Sequence, residues 1–493
     1  MARITIHPTA TIGTVQPALH GHFSEHLGRC VYDGLWTAAD TAEQGYRDDV
    51  LELFADIEPP VLRWPGGCFA DDYHWEDGIG PRATRPRRRN LFWAQGRAQR
   101  WEESNTFGTD EFLTLCERLE IEPYLAVNVG SGTPRQAADW VEYCCADGDT
   151  ELADRRRANG RELPYDVPFW GIGNENWGCG GQMTPEQYAR AFRRYATYVG
   201  AMDRHVASNL ELIACGFQRN EWNRRFLEEV RSGAWGTEFP LDHLTFHHYY
   251  GGTVTVTDAD LDSYDQFLVD ARAIEELIDA TAAAIDAVAT TRDIGVIVDE
   301  WGAWHPEATA DNGLEQPGSV LDALSAAAVL DVCNHHADVL TMTNIAQTVN
   351  VLHCLVETDG EDAWPRPTYY VYDLYRKHRE NLAVRTDVDA PTRQVADDVL
   401  PLVAGSASVD GDHIFLTLTN LDCRSAHDVA IELPGAHVTA VDVQLLFADH
   451  DPAADTTPET ATAFGPAPLS VTDDSLACTL PPATVAGVDI THA

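Results

Sequence analysis

Short apolar runs alternate with longer segments of helical period along most of the chain. The runs are Leu19–Glu25, Pro60–Pro65, Pro123–Val129, Pro168–Gly173, Leu210–Gly216, His243–Tyr249, Ile294–Glu300 and Val339–Ile345. Eight buried strands separated by helices is the strand count of a closed (β/α)8 barrel with a parallel sheet. Helix starts lie between them. Thr109-Asp110-Glu111 opens F-L-T-L-C-E-R-L, Thr184-Pro185-Glu186 opens Q-Y-A-R-A-F-R-R-Y, and Ser319 leads into L-D-A-L-S-A-A-A-V-L. One long helical pattern runs from about Asp265 to Val288, and Tyr369–Arg379 closes the outer ring. Past residue 385 the texture changes. H-I-F-L-T-L-T-N, D-V-A-I-E-L and V-T-A-V-D-V-Q-L-L alternate in period two between Gly, Pro and Asp turns, as antiparallel strands do. The expected architecture is α/β: a TIM barrel over residues 19–384 and a C-terminal antiparallel β-sandwich over residues 385–493, joined by an N-terminal strand within residues 1–18.

The charge balance narrows the partners. Across 493 residues, 34 basic side chains face 78 acidic ones, a formal charge of -44, and Lys377 is the only lysine. Such a field repels nucleic acid and anionic membrane surfaces. A hydrophobic content of 44% argues against disorder, so the excess is read as a solvated acidic surface suited to high salt, where screening removes self-repulsion. A salt-loving source organism is the corresponding hypothesis. The run P-R-A-T-R-P-R-R-R-N at residues 81–90 is a basic island, expected to pair with the acidic surface or with a neighbouring subunit. Eleven scattered cysteines without C-x-x-C or zinc-type spacing, and the lack of a signal-type leader or a long apolar span, point to a soluble protein of the reducing cytoplasm with no metal or other cofactor.

The C-terminal ends of the eight runs gather one kind of chemistry. They carry Ser24-Glu25-His26, Arg63-Trp64-Pro65-Gly66-Gly67-Cys68, Asn128, Asn174-Glu175, His247-His248-Tyr249-Tyr250, Asp299-Glu300-Trp301-Gly302 and Asn344-Ile345-Ala346-Gln347. Catalytic groups of parallel barrels sit at that end. Amides and carboxylates suit hydroxyl-rich ligands, and rings suit sugar faces. Glu175 stands between two amides beside Trp177, where helical sequence has not yet resumed, and Glu300 is delivered by the apolar run I-G-V-I-V. Two such acids on strands four and seven point to glycoside hydrolysis. Strand alternation turns Asp299 away from Glu300, toward a buried ion pair or turn. Glu25 is read as a ligand for sugar hydroxyls or an arginine partner. Arg63 either holds a catalytic carboxylate ionised or ties strands together. His247 is a satisfied core histidine or a partner of the nucleophile, and Trp93, Trp177 and Trp304 are sugar platforms or loop packing.

With these residues assembled, the chain resembles an α-L-arabinofuranosidase of glycoside hydrolase family fifty-one over nearly its whole length. The resemblance rests on G-H-F-S-E-H-L-G-R-C at 21–30, R-W-P-G-G-C-F-A-D-D-Y-H-W-E-D-G-I-G-P at 63–81, G-N-E-N-W-G-C-G-G at 173–181, H-H-Y-Y at 247–250, D-E-W-G-A-W-H at 299–305 and N-I-A-Q-T-V-N-V at 344–351. It implies a retaining enzyme with no metal, often a homohexamer, that releases terminal arabinofuranosyl residues from oligo- and polysaccharides. Glu175 matches the general acid/base and Glu300 the nucleophile. Glu25, Cys68, Asn174, Tyr249 and Gln347 match sugar contacts, with Trp304 near the leaving side. Cys68 stands where some members carry asparagine. The segment from Arg88 to Glu103 departs from the pattern, leaving Trp93 or Trp101 for the family's aromatic position, with Trp93 preferred. A β-xylosidase or endoglucanase on the same fold is the nearest alternative, and a non-catalytic carbohydrate-binding protein the alternative of another class.

Overall fold

In the computed structural model, all residues are described except 38–44, 208, 233–240, 252–260, 289–292, 448–450, 453–456, 458–466, 469–475 and 493. Eight parallel strands form a closed barrel: β1 (Gly21–Phe23), β2 (Val61–Trp64), β3 (Glu122–Val127), β4 (Phe169–Ile172), β5 (Glu211–Ala214), β6 (His243–Gly251), β7 (Gly295–Trp304) and β8 (Leu340–Ala346). They neighbour one another in sequence order, and β8 pairs back onto β1. All eight expected runs carry a strand. The first is shorter than its apolar run because Pro17, which lacks an N–H, opens a 3-10 turn over Pro17–His20. At Gly21 a Cβ would meet Asn344 Oδ1 at 2.3 Å and Val61 Cγ1 at 2.4 Å, so the narrow barrel interior admits only hydrogen there.

Strand β7 runs on to Trp304 and pairs with β6 over most of its length, but the register slips between Val298 and Glu300. Asp299 is thus an extra residue, a bulge that breaks the period of two toward the C-terminal end of the barrel. Val61, Tyr124, Ile213, Ile297 and Met342, one each from β2, β3, β5, β7 and β8, form a small apolar cluster of their own. The main core lies between the strands and the outer helices, with Trp64, Trp170 and Trp301 fully buried. The helical pattern over 265–288 is two helices, Leu261–Arg272 and Ile274–Val288. No glycine or proline marks the break, so periodicity alone reads through it.

The C-terminal region is a nine-stranded sheet that is antiparallel except at one pairing. The N-terminal strand Ala2–Thr14 lies within it, antiparallel to Leu382–Asp389 and parallel to His427–Glu432. The helix Val320–His335 is buried through Asn334, because it is covered by the barrel on one side and by the sheet on the other. The basic run at 81–90 pairs with acids of its own chain. Arg82 and Arg85 bind Glu111, Arg87 binds Glu102, and Arg88 grips Asp77 with both nitrogens. No helix among the described residues is long and apolar enough to cross a membrane.

Candidate active site

Arg63, at the end of β2, is completely buried and organises the catalytic end. Its Nη1 donates to Glu300 Oε1 at 2.6 Å and its Nη2 to Asn174 Oδ1 at 2.6 Å, while Nε lies 3.6 Å from Asp299 Oδ2. One guanidinium therefore does both things the sequence left open, holding a candidate nucleophile and tying β2 to β4 and β7. Burial opposes its charge, but Asp299 and Glu300 more than offset that and raise its pKa. Asp299 does not turn away from Glu300. The bulge brings both carboxylates inward, and the expectation from strict alternation fails for that reason. Asp299 lies against Arg63 and within 3.0 Å of His247 Nε2, and it accepts from Tyr124 Oη at 3.2 Å. Burial pushes its carboxyl up, but Arg63 and His247 bring it below the usual range.

His247 connects the acids. Its Nδ1 lies 2.8 Å from Glu175 Oε1 and 3.5 Å from Glu300 Oε2. Burial favours the neutral ring, but Glu300 and Asp299 outweigh it and carry the pKa well above the ordinary histidine value. The three carboxylates around the ring thus favour its protonated form. Tyr249 donates to Glu300 Oε2 at 2.7 Å, and its ring meets Trp304 edge-on at 5.3 Å. The side chain of Glu300 is 7% exposed and that of Glu175 is 21% exposed, so Glu175 is the acid open to exchange with solvent.

Glu25 is buried on the same face. Its Oε1 accepts from the Phe69 backbone N–H and from Trp93 Nε1, both at 3.0 Å, and its Oε2 from Gln347 Nε2 at 3.3 Å. Burial, and then Glu300, push its pKa up to about 7. Trp93 is thereby the indole at this site, whereas Trp101 is 42% exposed. Gly66 and Gly67 allow the backbone this near the acids: a Cβ on Gly66 would meet Glu25 Cγ at 2.5 Å, and one on Gly67 would meet Glu300 Oε1 at 2.9 Å. Two further residues make contacts elsewhere. Asn128 caps its own loop through Tyr73 O and Ser131, and Trp177 stacks on Phe217 at 4.1 Å.

Two features escape sequence reasoning. Cys68 and Cys179 form a disulfide with Cα atoms 5.6 Å apart, so Cys68 offers no free thiol, and the expectation of reduced cysteines fails at this pair. Side-chain proximity across 111 residues has no signal in spacing. Asp71 is buried and accepts four hydrogen bonds: Val129 N and Gly130 N on Oδ1, Asn174 N and Asn176 Nδ2 on Oδ2. It fixes the turn in which Glu175 sits at φ 39°, a left-handed conformation that costs a non-glycine residue of order 1 kcal/mol. Burial pushes Asp71 up to about 7 against those bonds. Only a hydrogen fits at Gly180, whose Cβ would fall 2.2 Å from Asp71 Oδ2. The sequence offers Asp71 and Asp72 side by side with nothing to separate them.

The arrangement supplies two acids with different access, a fixed cation beside each, and polar groups and rings around them, as two-carboxylate glycoside chemistry requires. Comparison with known proteins agrees. A family described as Alpha-L-arabinofuranosidase 1 domain matches residues 53–267, and one described as Alpha-L-arabinofuranosidase C-terminal domain matches residues 299–484. An intracellular exo-alpha-L-arabinofuranosidase of Bacteroides ovatus is 37% identical over 444 residues, spanning 88% of this chain and 84% of that protein. Among solved structures, the GH51 arabinofuranosidase of Xanthomonas axonopodis pv. citri superposes with a TM-score of 0.92 at 34% identity, over 99% of both chains. The Thermotoga maritima α-L-arabinofuranosidase, solved as an arabinose complex, gives 0.84 at 30% identity over 100% of both.

Proposed function

The chain belongs to the α-L-arabinofuranosidases of glycoside hydrolase family fifty-one, and from that premise we propose that it releases terminal non-reducing α-L-arabinofuranosyl residues from oligo- and polysaccharides by double displacement with retention. One observation carries the mechanism. A carboxylate oxygen of Glu175, one of Glu300 and a ring nitrogen of His247 lie within 4.8 Å of one another. Carboxyl groups about 5–5.5 Å apart accompany a nucleophilic second acid, whereas about 6.5–9.5 Å leaves room for an attacking water and inversion.

In this reading Glu300 attacks the anomeric carbon, aligned by Arg63 Nη1 and Tyr249 Oη. Those donors hold both its oxygens before the substrate arrives, so little reorganisation is needed during attack. Glu175 gives its proton to the leaving oxygen and, in the second step, takes one from the incoming water through its more open edge. His247 stays charged and offsets the accumulated negative charge around the two acids. Glu25, Asn174, Tyr249 and Gln347 receive the sugar hydroxyls, with the Cys68 segment closing one side and Trp93 and Trp304 flanking the ring. The finer reading extends to a homohexamer, a cytoplasmic location in line with the intracellular Bacteroides ovatus relative, and a surface adapted to salt, supported by the charge of -44. Light scattering at several salt concentrations tests assembly and salt dependence together.

The catalytic test is hydrolysis of p-nitrophenyl α-L-arabinofuranoside against the β-D-xylopyranoside and a cellulose oligomer, with the first-formed anomer followed by proton NMR. Release from the arabinofuranoside alone, with α-arabinofuranose formed first, is expected. Preference for the xyloside or the cello-oligomer would overturn the substrate, and β-anomer first would overturn retention.

A further inference from the structure

The disulfide joins the segment after β2 to the loop that carries Glu175. Cys68, Cys179 and Glu175 are all partly exposed, which leaves them a face toward solvent. Cys179 Sγ lies 3.7 Å from Glu175 Oε2, and a sulfur of each cysteine and an oxygen of Glu175 fall within 4.8 Å of one another. The other nine cysteines are free, eight of them buried and Cys423 half-buried.

We propose that reduction of Cys68–Cys179 converts the acid/base end of the site into a binding site for a thiophilic divalent cation, Zn²⁺ or Cd²⁺, held by the two sulfurs and the Glu175 carboxylate. The inhibition that follows rests on the reading of Glu175 as the acid/base. A dithiol reductant breaks the S–S bond, supplies two electrons and two protons, and leaves as its own disulfide. The cation then displaces the two thiol protons to solvent and bonds to the thiolates. Two thiolates about 2.3 Å from a tetrahedral cation stand about 3.8 Å apart, within reach of side chains whose Cα atoms are 5.6 Å apart. Sulfur ligands select Zn²⁺ or Cd²⁺ over Mg²⁺ or Ca²⁺. Glu175 supplies the third ligand, and with its lone pair on the cation it no longer passes a proton to the leaving oxygen. In the oxidised form neither sulfur is a thiolate, and the enzyme is indifferent to the same cation at this place.

The experiment compares oxidised and reduced full-length protein, freed of reductant, titrated with Cd²⁺ alone. Reduction is expected to add one tightly bound Cd²⁺ per chain, with a sulfur-to-cadmium charge-transfer band, and to make turnover at least tenfold sensitive to Cd²⁺, reversed by a chelator. Because the other cysteines are free in both forms, the difference isolates this pair. Cys68→Ser and Cys179→Ser, made singly and together, are expected to abolish the added equivalent, and Glu175→Gln to weaken it. No added equivalent on reduction of the wild-type chain, a measurement that needs no variant to fold, would overturn the proposal, as would an equal gain in the double variant. Added Cd²⁺ without inhibition would support the cation site and instead overturn the acid/base role of Glu175.

Discussion

Two of the buried polar networks in this molecule are built on different principles. At the catalytic end of the barrel, Arg63 and His247 lie among Glu25, Glu175, Asp299 and Glu300, so opposite charges balance one another at fixed distances. Between the helix Val320–His335 and the sheet, Asp331 Oδ1 accepts from the hydroxyls of Ser406, Thr417 and Tyr375 at 2.7–2.9 Å. Its carboxyl is raised by burial, and the ring nitrogens of the nearby His378 meet the hydroxyls of Ser408 and Thr417. Hydroxyls thus meet one oxygen of a buried acid without adding charge. The difference is that the junction is closed and its acid is met by hydroxyls, whereas the catalytic network sets opposite charges against one another and has one edge open to solvent, at Glu175. Buried polarity alone does not mark a site; compensated charge with an open edge does.

Substitutions break the comparison in order of size. Glu300→Ala is expected to lower kcat/KM by about 10⁴-fold or more on every substrate, with the fold retained by circular dichroism. Glu175→Ala should cost about 10²–10⁴-fold on natural linkages, the range of general acid catalysis, and far less on aryl glycosides with good leaving groups. Equal losses on both would remove its assignment as the acid. Asp331→Ala leaves three hydroxyls facing a void and should cost about 2–4 kcal/mol of stability, read by urea unfolding, while kcat/KM of the folded enzyme stays as it was. A matching loss of activity would erase the distinction between the two networks.

Smaller effects sharpen it. Asp71→Asn presents an amide to donors that need an acceptor, so the Glu175 turn loosens. The expected outcome is a fall of about 10-fold in kcat with KM little changed, and a displaced alkaline limb of the pH–rate profile, where Glu175 as general acid loses its proton, which a purely structural loss would not move. His378 separates the networks by pH. Burial, and then His335, lower its pKa to about 3. The unfolded chain takes up a proton near pH 6.5 and the folded chain does not until near 3, so stability falls as pH drops through that window, by up to about 1.4 kcal/mol per pH unit. Glu25 and Asp71, raised to about 7, act in the opposite direction between about pH 4 and 7. The comparison of wild type with His378→Gln isolates the histidine, and an unchanged slope in the variant would contradict its neutral burial.

Much of this was legible from the chain. The eight strand positions follow from apolar runs that barrel strands must have, and Glu175, Glu300, Glu25 and Gln347 follow because each lies where such a run ends. The bulge at Asp299 was not, since alternation carries no mark of a register slip. Asp71 reads like its neighbour Asp72 until the turn at Asn174 folds over it. Cys68–Cys179 and the hydroxyl shell of Asp331 are tertiary pairings between distant segments, and local pattern holds no trace of them.

The central claim is the division of labour between Glu300 and Glu175, and azide tests it most directly. With an activated α-arabinofuranoside, Glu175→Ala should still form the glycosyl–enzyme, and azide attacking from the vacated side should yield the α-azide. Glu300→Ala, in which azide displaces the leaving group from the nucleophile's side, should yield the β-azide. The same anomer from both variants, or the two reversed, would contradict the account.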